Sequence, residues 1–155
     1  MKTTTLSRSQ WRKTAYSGSS ASNTEQHLER LLHKHGIVEY QWTQGRGPSG
    51  RMAMHLRFVL KEKPYRLTVE TLDADAPVEE LVLQAKRALF HFTKSALEMA
   101  TTFFPPEQVL FAFLELPDKN GAPGATLWDA ARPQLDGGKF NVAGLLGGGQ
   151  TGRQT

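Results

Sequence analysis

Between Arg51 and Leu60 the chain alternates without a break: Met52, Met54, Leu56, Phe58 and Leu60 fall on one side, Arg51, His55 and Arg57 on the other. Successive side chains of a β-strand point to opposite faces, so a period of two specifies a half-buried strand here and not a helix. One face of that strand has to be covered, and the opposite face is basic. Val38, Tyr40 and Trp42 alternate in the same way with Glu39, Gln41 and Thr43, and Tyr65, Leu67 and Val69 alternate with Arg66, Thr68 and Glu70. The Gly45-Arg-Gly-Pro-Ser-Gly50 and Lys61-Glu-Lys-Pro64 segments between them are turn-forming, so three strands on short loops predict an antiparallel meander.

Helical spacing flanks the meander on both sides. Thr24, able to cap, precedes Glu25, Leu28, Leu31 and Leu32, and the run closes at Gly36 after His33, Lys34 and His35, a basic end that suits the helix dipole. After Asp73-Ala-Asp-Ala-Pro77, Val78, Leu81, Val82, Ala85, Leu89, Phe92, Ala96 and Met99 recur at three- and four-residue steps, with Asp75 the expected cap. Leu83, Phe90 and Leu97 form a second apolar set on another side of this helix, which one sheet face cannot cover. The Pro106–Leu114 segment, apolar nearly all round and opening on a helix-compatible proline, is expected to pack there as a further helix. Leu116–Gly121 reads as a turn, and Thr126–Arg132 as a last short helix ending before Pro133. The fold class expected is α+β: helix, three-stranded antiparallel meander, long helix, then one or two short C-terminal helices.

The domain is expected over residues 23–133. Residues 1–22 are rich in Ser and Thr and read as a flexible basic arm; residues 134–155 read as a flexible Gly-rich tail, in which Phe140, Val142, Leu145 and Leu146 are a candidate docking peptide. Of 19 basic residues, Lys2, Arg8, Arg12 and Lys13 precede the first acid at Glu25, and the remaining 15 balance 15 acids, so the net charge of +4 belongs to the arm. Its acid-free composition also resembles that of an organelle transit peptide, but such peptides need an amphipathic pattern, for which this arm has only Leu6, Trp11 and Tyr16. Within the balanced remainder, Arg46, Arg51, Arg57, Lys61, Lys63 and Arg66 face only Glu62, and an acidic block from Glu70 to Glu80 follows. The absence of cysteine excludes a disulfide scaffold and thiol chemistry, and no apolar run reaches the roughly 18 residues of a membrane span. A cytoplasmic setting is the expectation.

No catalytic pattern accompanies this framework. His33 and His35, two apart on a helix, cannot both face one ion, and His27, His55 and His91 lack a neighbour at ligand spacing, so no metal and no other cofactor is expected. A restriction-endonuclease-like core also runs helix, three strands, helix, but its chemistry requires an acid on the second strand and an acid two before a lysine on the third. Here the second strand has none and the third has Glu70 alone. Phosphate-loop, dinucleotide-binding, zinc-protease and nucleophile-elbow patterns are likewise missing, and a non-enzymatic protein is expected.

The helix, three-strand, helix order over Thr24–Ala100 resembles the double-stranded-RNA-binding domain in topology and length. That resemblance implies duplex RNA as a ligand, reached through a lysine pair at the start of the second helix. This chain has Val78-Glu79-Glu80 at that place, which repels phosphate, so the family's contacts are not carried over to Lys86, Arg87, His91 or Lys94. The run Gln84–Glu98, followed by Phe111-Ala-Phe-Leu-Glu-Leu-Pro-Asp118 and Thr126-Leu-Trp128, resembles a family of small bacteriophage and prophage proteins without an assigned activity. It implies a mobile-element setting and supplies no site residues.

The function expected is therefore that of a nucleic-acid-binding accessory protein of a phage or mobile element. Its candidate contacts are Arg51, His55, Arg57 and Arg66 on the open sheet face, Arg46, Lys61 and Lys63 on the loops, and Lys2, Arg8, Arg12 and Lys13 on the arm. Tyr40, Trp42, Phe58 and Tyr65 sort inward, which favours backbone contact over base stacking. The alternative is a protein-protein interaction module, an inhibitor or adaptor of a host or phage machine, using Leu83, Phe90, Leu97, Phe111 and Phe113 with Phe103 and Phe104; self-association buries the same surface.

Overall fold

The computed structural model describes residues 24–117 and 123–138, with Thr5, Ser7 and Gln10 before them, and divides into two compact units, one ending at Leu114 and one beginning at Glu115. The first is α+β. Helix α1 (Thr24–Lys34) leads to strands β1 (Tyr40–Arg46), β2 (Met52–Leu60) and β3 (Lys63–Glu70), then to helix α2 (Val78–Thr102), the single turn α3 (Pro106–Val109) and a 3-10 turn at Phe111–Phe113. The strands form one antiparallel sheet in the order β1-β2-β3, as the alternation requires. Apart from Thr5, Ser7 and Gln10, the expected arm (residues 1–22) lies outside the described residues, as does most of the tail, including its apolar residues.

Met54, Leu56, Phe58 and Leu60 of β2 and Tyr65 and Leu67 of β3 are buried on one sheet face, against Leu28, Leu31 and Leu32 of α1 and Val82, Ala85, Leu89, Ala96 and Leu97 of α2. Both helices share this face. Burial of so many large apolar side chains, at roughly 1.5–3 kcal/mol each, is what holds the unit together.

Local chemistry explains where the elements depart from the pattern. Helix α1 ends in a Schellman motif: Gly36, in the left-handed region (φ 76°), donates to the His33 carbonyl, and Ile37 donates to that of Leu32. The motif turns Ile37 into the core, fully buried, so Val38 points to solvent and the inward phase of the first strand starts at Tyr40, not at Val38. Helix α2 starts directly after Pro77, whose extended backbone serves as the cap, so Asp75 does not cap it. Its buried stripe runs through Leu81, Val82, Ala85, Leu89, Thr93, Ala96, Leu97 and Ala100, rotated from the expected one, and Val78, Phe92 and Met99 stay exposed.

The second apolar side of α2 meets α1 at Phe90, while Leu97 is buried in the core and Leu83 stays exposed. Phe90 lies 6.1 Å from the His27 ring and Lys86 bridges to Glu25 at 2.7 Å, so α1 meets the Leu83–Phe90–Leu97 flank. The Pro106–Leu114 segment instead packs beside Phe92, whose ring is edge-on to Phe113 at 5.3 Å, and Leu114 bridges to Tyr65 at the free edge of β3. With Pro105 and Pro106 opening it, the segment forms one α turn and one 3-10 turn where a longer helix is expected.

In the second unit, β4 (Glu115–Pro117) pairs antiparallel with β5 (Pro123–Thr126), and helix α4 (Leu127–Asp136) follows. Thr126 caps α4 in a reciprocal box with Asp129. Helix α4 continues through Pro133, beyond its expected end, with an exposed Arg132–Asp136 pair along its side.

Candidate functional site

The sheet face away from the helices is polar. Its rows, read across the strands, are Val59–Pro64, Gln41–Arg57–Arg66, Thr43–His55–Thr68 and Gly45–Ala53–Glu70. Arg57 and Arg66 are therefore direct cross-strand neighbours, a placement that brings their Cβ atoms to about 5 Å. Beside them, Glu39, Tyr40, Gln41, Arg57, Phe58 and Val59 line an open cavity of about 290 Å³.

His55 occupies the next row. Its Nδ1 is 2.8 Å from the Thr68 hydroxyl, and its ring lies against Gly45, where a Cβ would stand 3.3 Å from Nε2. Burial and then the Arg66 charge hold this imidazole below its ordinary pKa, with the Arg46 backbone pulling the other way. At neutral pH His55 therefore contributes a dipole to the face and not a cation.

The end of the sheet nearest the β1–β2 loop is organised around Glu70. Its carboxylate accepts from the Ser49 amide (2.8 Å), the Ser49 hydroxyl (2.7 Å) and the Arg51 guanidinium (3.2 Å), while Arg51 Nε donates to the Thr71 carbonyl at 2.9 Å. The loop reaches Glu70 through a turn closed by Gly50 donating to the Gly47 carbonyl, with Pro48 in its second place and Gly50 left-handed (φ 84°). A side chain at Gly47 would collide with the Glu70 carboxylate. Arg51, one of the expected phosphate contacts, is thus committed to this clasp, and Glu70 carries negative charge onto the basic face.

The other candidates separate. Arg46 ends β1 in the row of Met52, on the helix side of the sheet, and its Nη1 donates to the Gly50 carbonyl at 2.8 Å. Lys63 sits in the inward row opposite Leu60 and pairs with Glu107 of α3 at 2.9 Å. That bond holds the Glu107 carboxyl below its usual range and the Lys63 ammonium above its own. Lys61 is exposed at the tip of the β2–β3 hairpin, where it and Glu62 both adopt the left-handed conformation (φ 50° and 67°) of a two-residue primed turn. Lys2, Arg8, Arg12 and Lys13 lie outside the described residues. The geometry brings together Arg57, Arg66 and His55; the register that does so follows from the alternation, whereas the partners of Arg51 and Lys63 are distant in sequence.

Among the apolar candidates, Leu97 is wholly buried in the core, Phe90 and Phe113 are half-buried, and Leu83 and Phe111 are exposed. The sequence does not single out Met99 or Phe92 as surface residues, because their spacing matches the buried stripe. No helix among the described residues is long and apolar enough to cross a membrane, and no three of their His, Asp and Glu side chains converge as a metal site. No protein family, curated protein or solved structure matches the chain.

Proposed function

We propose that this chain is a non-enzymatic nucleic-acid-binding protein that meets a phosphodiester backbone with the outer face of its sheet. The observation that carries the reading is the Arg57–Arg66 cross-strand pair. Two guanidinium groups side by side on one sheet face present charge-assisted hydrogen-bond donors to a phosphate lying across them. Lys61 at the hairpin tip and Lys2, Arg8, Arg12 and Lys13 of the N-terminal segment add attraction that does not depend on base sequence. Arg51, Lys63 and Arg46 serve the fold in this reading, and the acidic start of α2 at Glu79 and Glu80 keeps phosphate away from that helix end. The mobile-element setting rests on the resemblance of the second half of the sequence to phage proteins.

Fluorescence anisotropy with labelled single-stranded DNA, duplex DNA and duplex RNA, at low and moderate salt, tests the assignment. The Arg57→Ala, Arg66→Ala double variant is expected to bind at least about tenfold more weakly and to lower the salt slope by roughly 1, near 0.9 for the one phosphate lost. Arg51→Ala, in contrast, is expected to lose stability and keep its affinity once folded. Equal binding by the double variant and the unmodified chain, or no binding to any of the three probes, refutes the reading.

A further inference from the structure

On the flank of α2 opposite the one that meets α1, apolar side chains remain in solvent. Phe92, Met99 and Phe103 follow one another at seven and four residues, which places them in line along the helix. Phe103 and Phe104 both donate their backbone amides to the Met99 carbonyl where the helix ends, and the Phe92–Phe113 ring contact brings the 3-10 turn with Phe111 alongside. Exposure is large for residues of this kind: 72% for Phe103, 52% for Phe111, 45% for Phe92, 42% for Phe104 and 39% for Met99.

We infer that this flank is a self-association surface, and that its occupant is the same flank of a second copy of the chain. Taking about 200 Å² for a whole phenylalanine or methionine, the five side chains leave roughly 500 Å² of apolar surface per chain. That is at the upper end of what a monomer exposes in one patch, and two such patches together reach the roughly 1,000 Å² at which a specific interface begins. The border of the patch along α2, at Ser95 and Thr102, is uncharged, so a twofold contact brings no like charges together there. Aromatic and methionine side chains are the residue types enriched at the centres of such contacts. The packing leaves the outer sheet face, with Arg57 and Arg66, unobstructed in both copies.

The test is sedimentation equilibrium of the full chain over a concentration range up to about 100 µM, a range that brackets micromolar association. The unmodified chain is expected to approach twice its mass of 17.2 kDa. Phe103→Lys removes the most exposed member from a position outside the core and is expected to raise the dissociation constant at least tenfold while far-UV circular dichroism and the melting temperature stay put. Phe111→Ser is expected to act in the same direction, and Arg57→Ala, on the other face, to leave association unchanged. A dimer that neither phenylalanine variant weakens overturns the inference. So does a chain that remains monomeric across the range, which assigns the surface to a partner of different sequence. Neither outcome depends on nucleic acid binding, so this inference and the proposed function fail separately.

Discussion

Gly47 and Glu70 are twenty-three positions apart in the chain, yet the structure makes the cost of changing one depend on the other. Gly47 has no left-handed backbone to protect; what forbids a side chain there is the Glu70 carboxylate. Gly47→Ala therefore displaces Glu70 and breaks its three bonds, to the Ser49 amide, the Ser49 hydroxyl and Arg51. A sheltered bond to a charged group contributes about 1.5–3 kcal/mol, and a solvent-exposed one nearer 0.5. With the Glu70 and Arg51 side chains 20% and 34% exposed, and the two serine bonds at the surface, the three sum to about 2 kcal/mol. Glu70→Ala costs about the same by direct loss of the acceptor. In the Glu70→Ala background, however, Gly47→Ala has nothing left to displace, and its cost falls below about 0.5 kcal/mol, giving a coupling energy near 1.5–2 kcal/mol. Urea unfolding of the four proteins of this cycle measures it, and thermal melts show each single variant lowered by roughly 10 °C. Additive costs, or a Gly47→Ala variant as stable as the unmodified chain, refute the clasp as the reason for glycine.

Two further outcomes follow from groups inside the same unit. The Tyr65 hydroxyl is buried without a hydrogen-bond partner among the described residues, so Tyr65→Phe is expected to stabilise by about 1 kcal/mol in urea unfolding, and a loss of that size means the hydroxyl is satisfied. Burial holds His55 and His35 below the ordinary 6.5, aided by Arg66 and by Lys34 respectively, and against Glu98 in the case of His35. The unfolded chain therefore takes up protons first, and stability is expected to fall as pH drops from about 7 towards 5.5 and to level off below the lowered folded-state values. His35→Gln combined with His55→Gln flattens that limb; a profile that keeps its slope in the double variant refutes the attribution.

The sheet was legible because its determinants are local. Met52 to Leu60 alternate within one strand, and turn residues at Gly45–Gly50 and Lys61–Pro64 set the loops, so the register that pairs Arg57 with Arg66 needed no distant information. Distances across the fold were another matter. Arg51 is cancelled by a carboxylate nineteen residues on, and Lys63 by one forty-four residues on, so counting charges along the chain overstated the positive face. The helix stripe misled for a related reason: Phe92 and Met99 satisfy the spacing of buried residues, but Thr93 takes the core position by returning its hydroxyl to the Leu89 carbonyl at 2.7 Å. Likewise, nothing in the Leu83–Phe90–Leu97 periodicity says which segment meets it, and the structure places α1 beside Phe90.

The two ends of the sheet are unequally constrained, and this bears on how it meets a ligand. At one end the Glu70 clasp grips the Ser49 main chain as well as its side chain, so that loop has little freedom to follow a curved or irregular backbone. At the other, Lys61 and Glu62 hold left-handed conformations that non-glycine residues adopt at a cost, and no side-chain clasp of this kind is seen there among the described residues. In the proposed nucleic-acid-binding reading, adjustment to a ligand's shape therefore falls to the hairpin tip that carries Lys61 and not to the clasped β1–β2 loop.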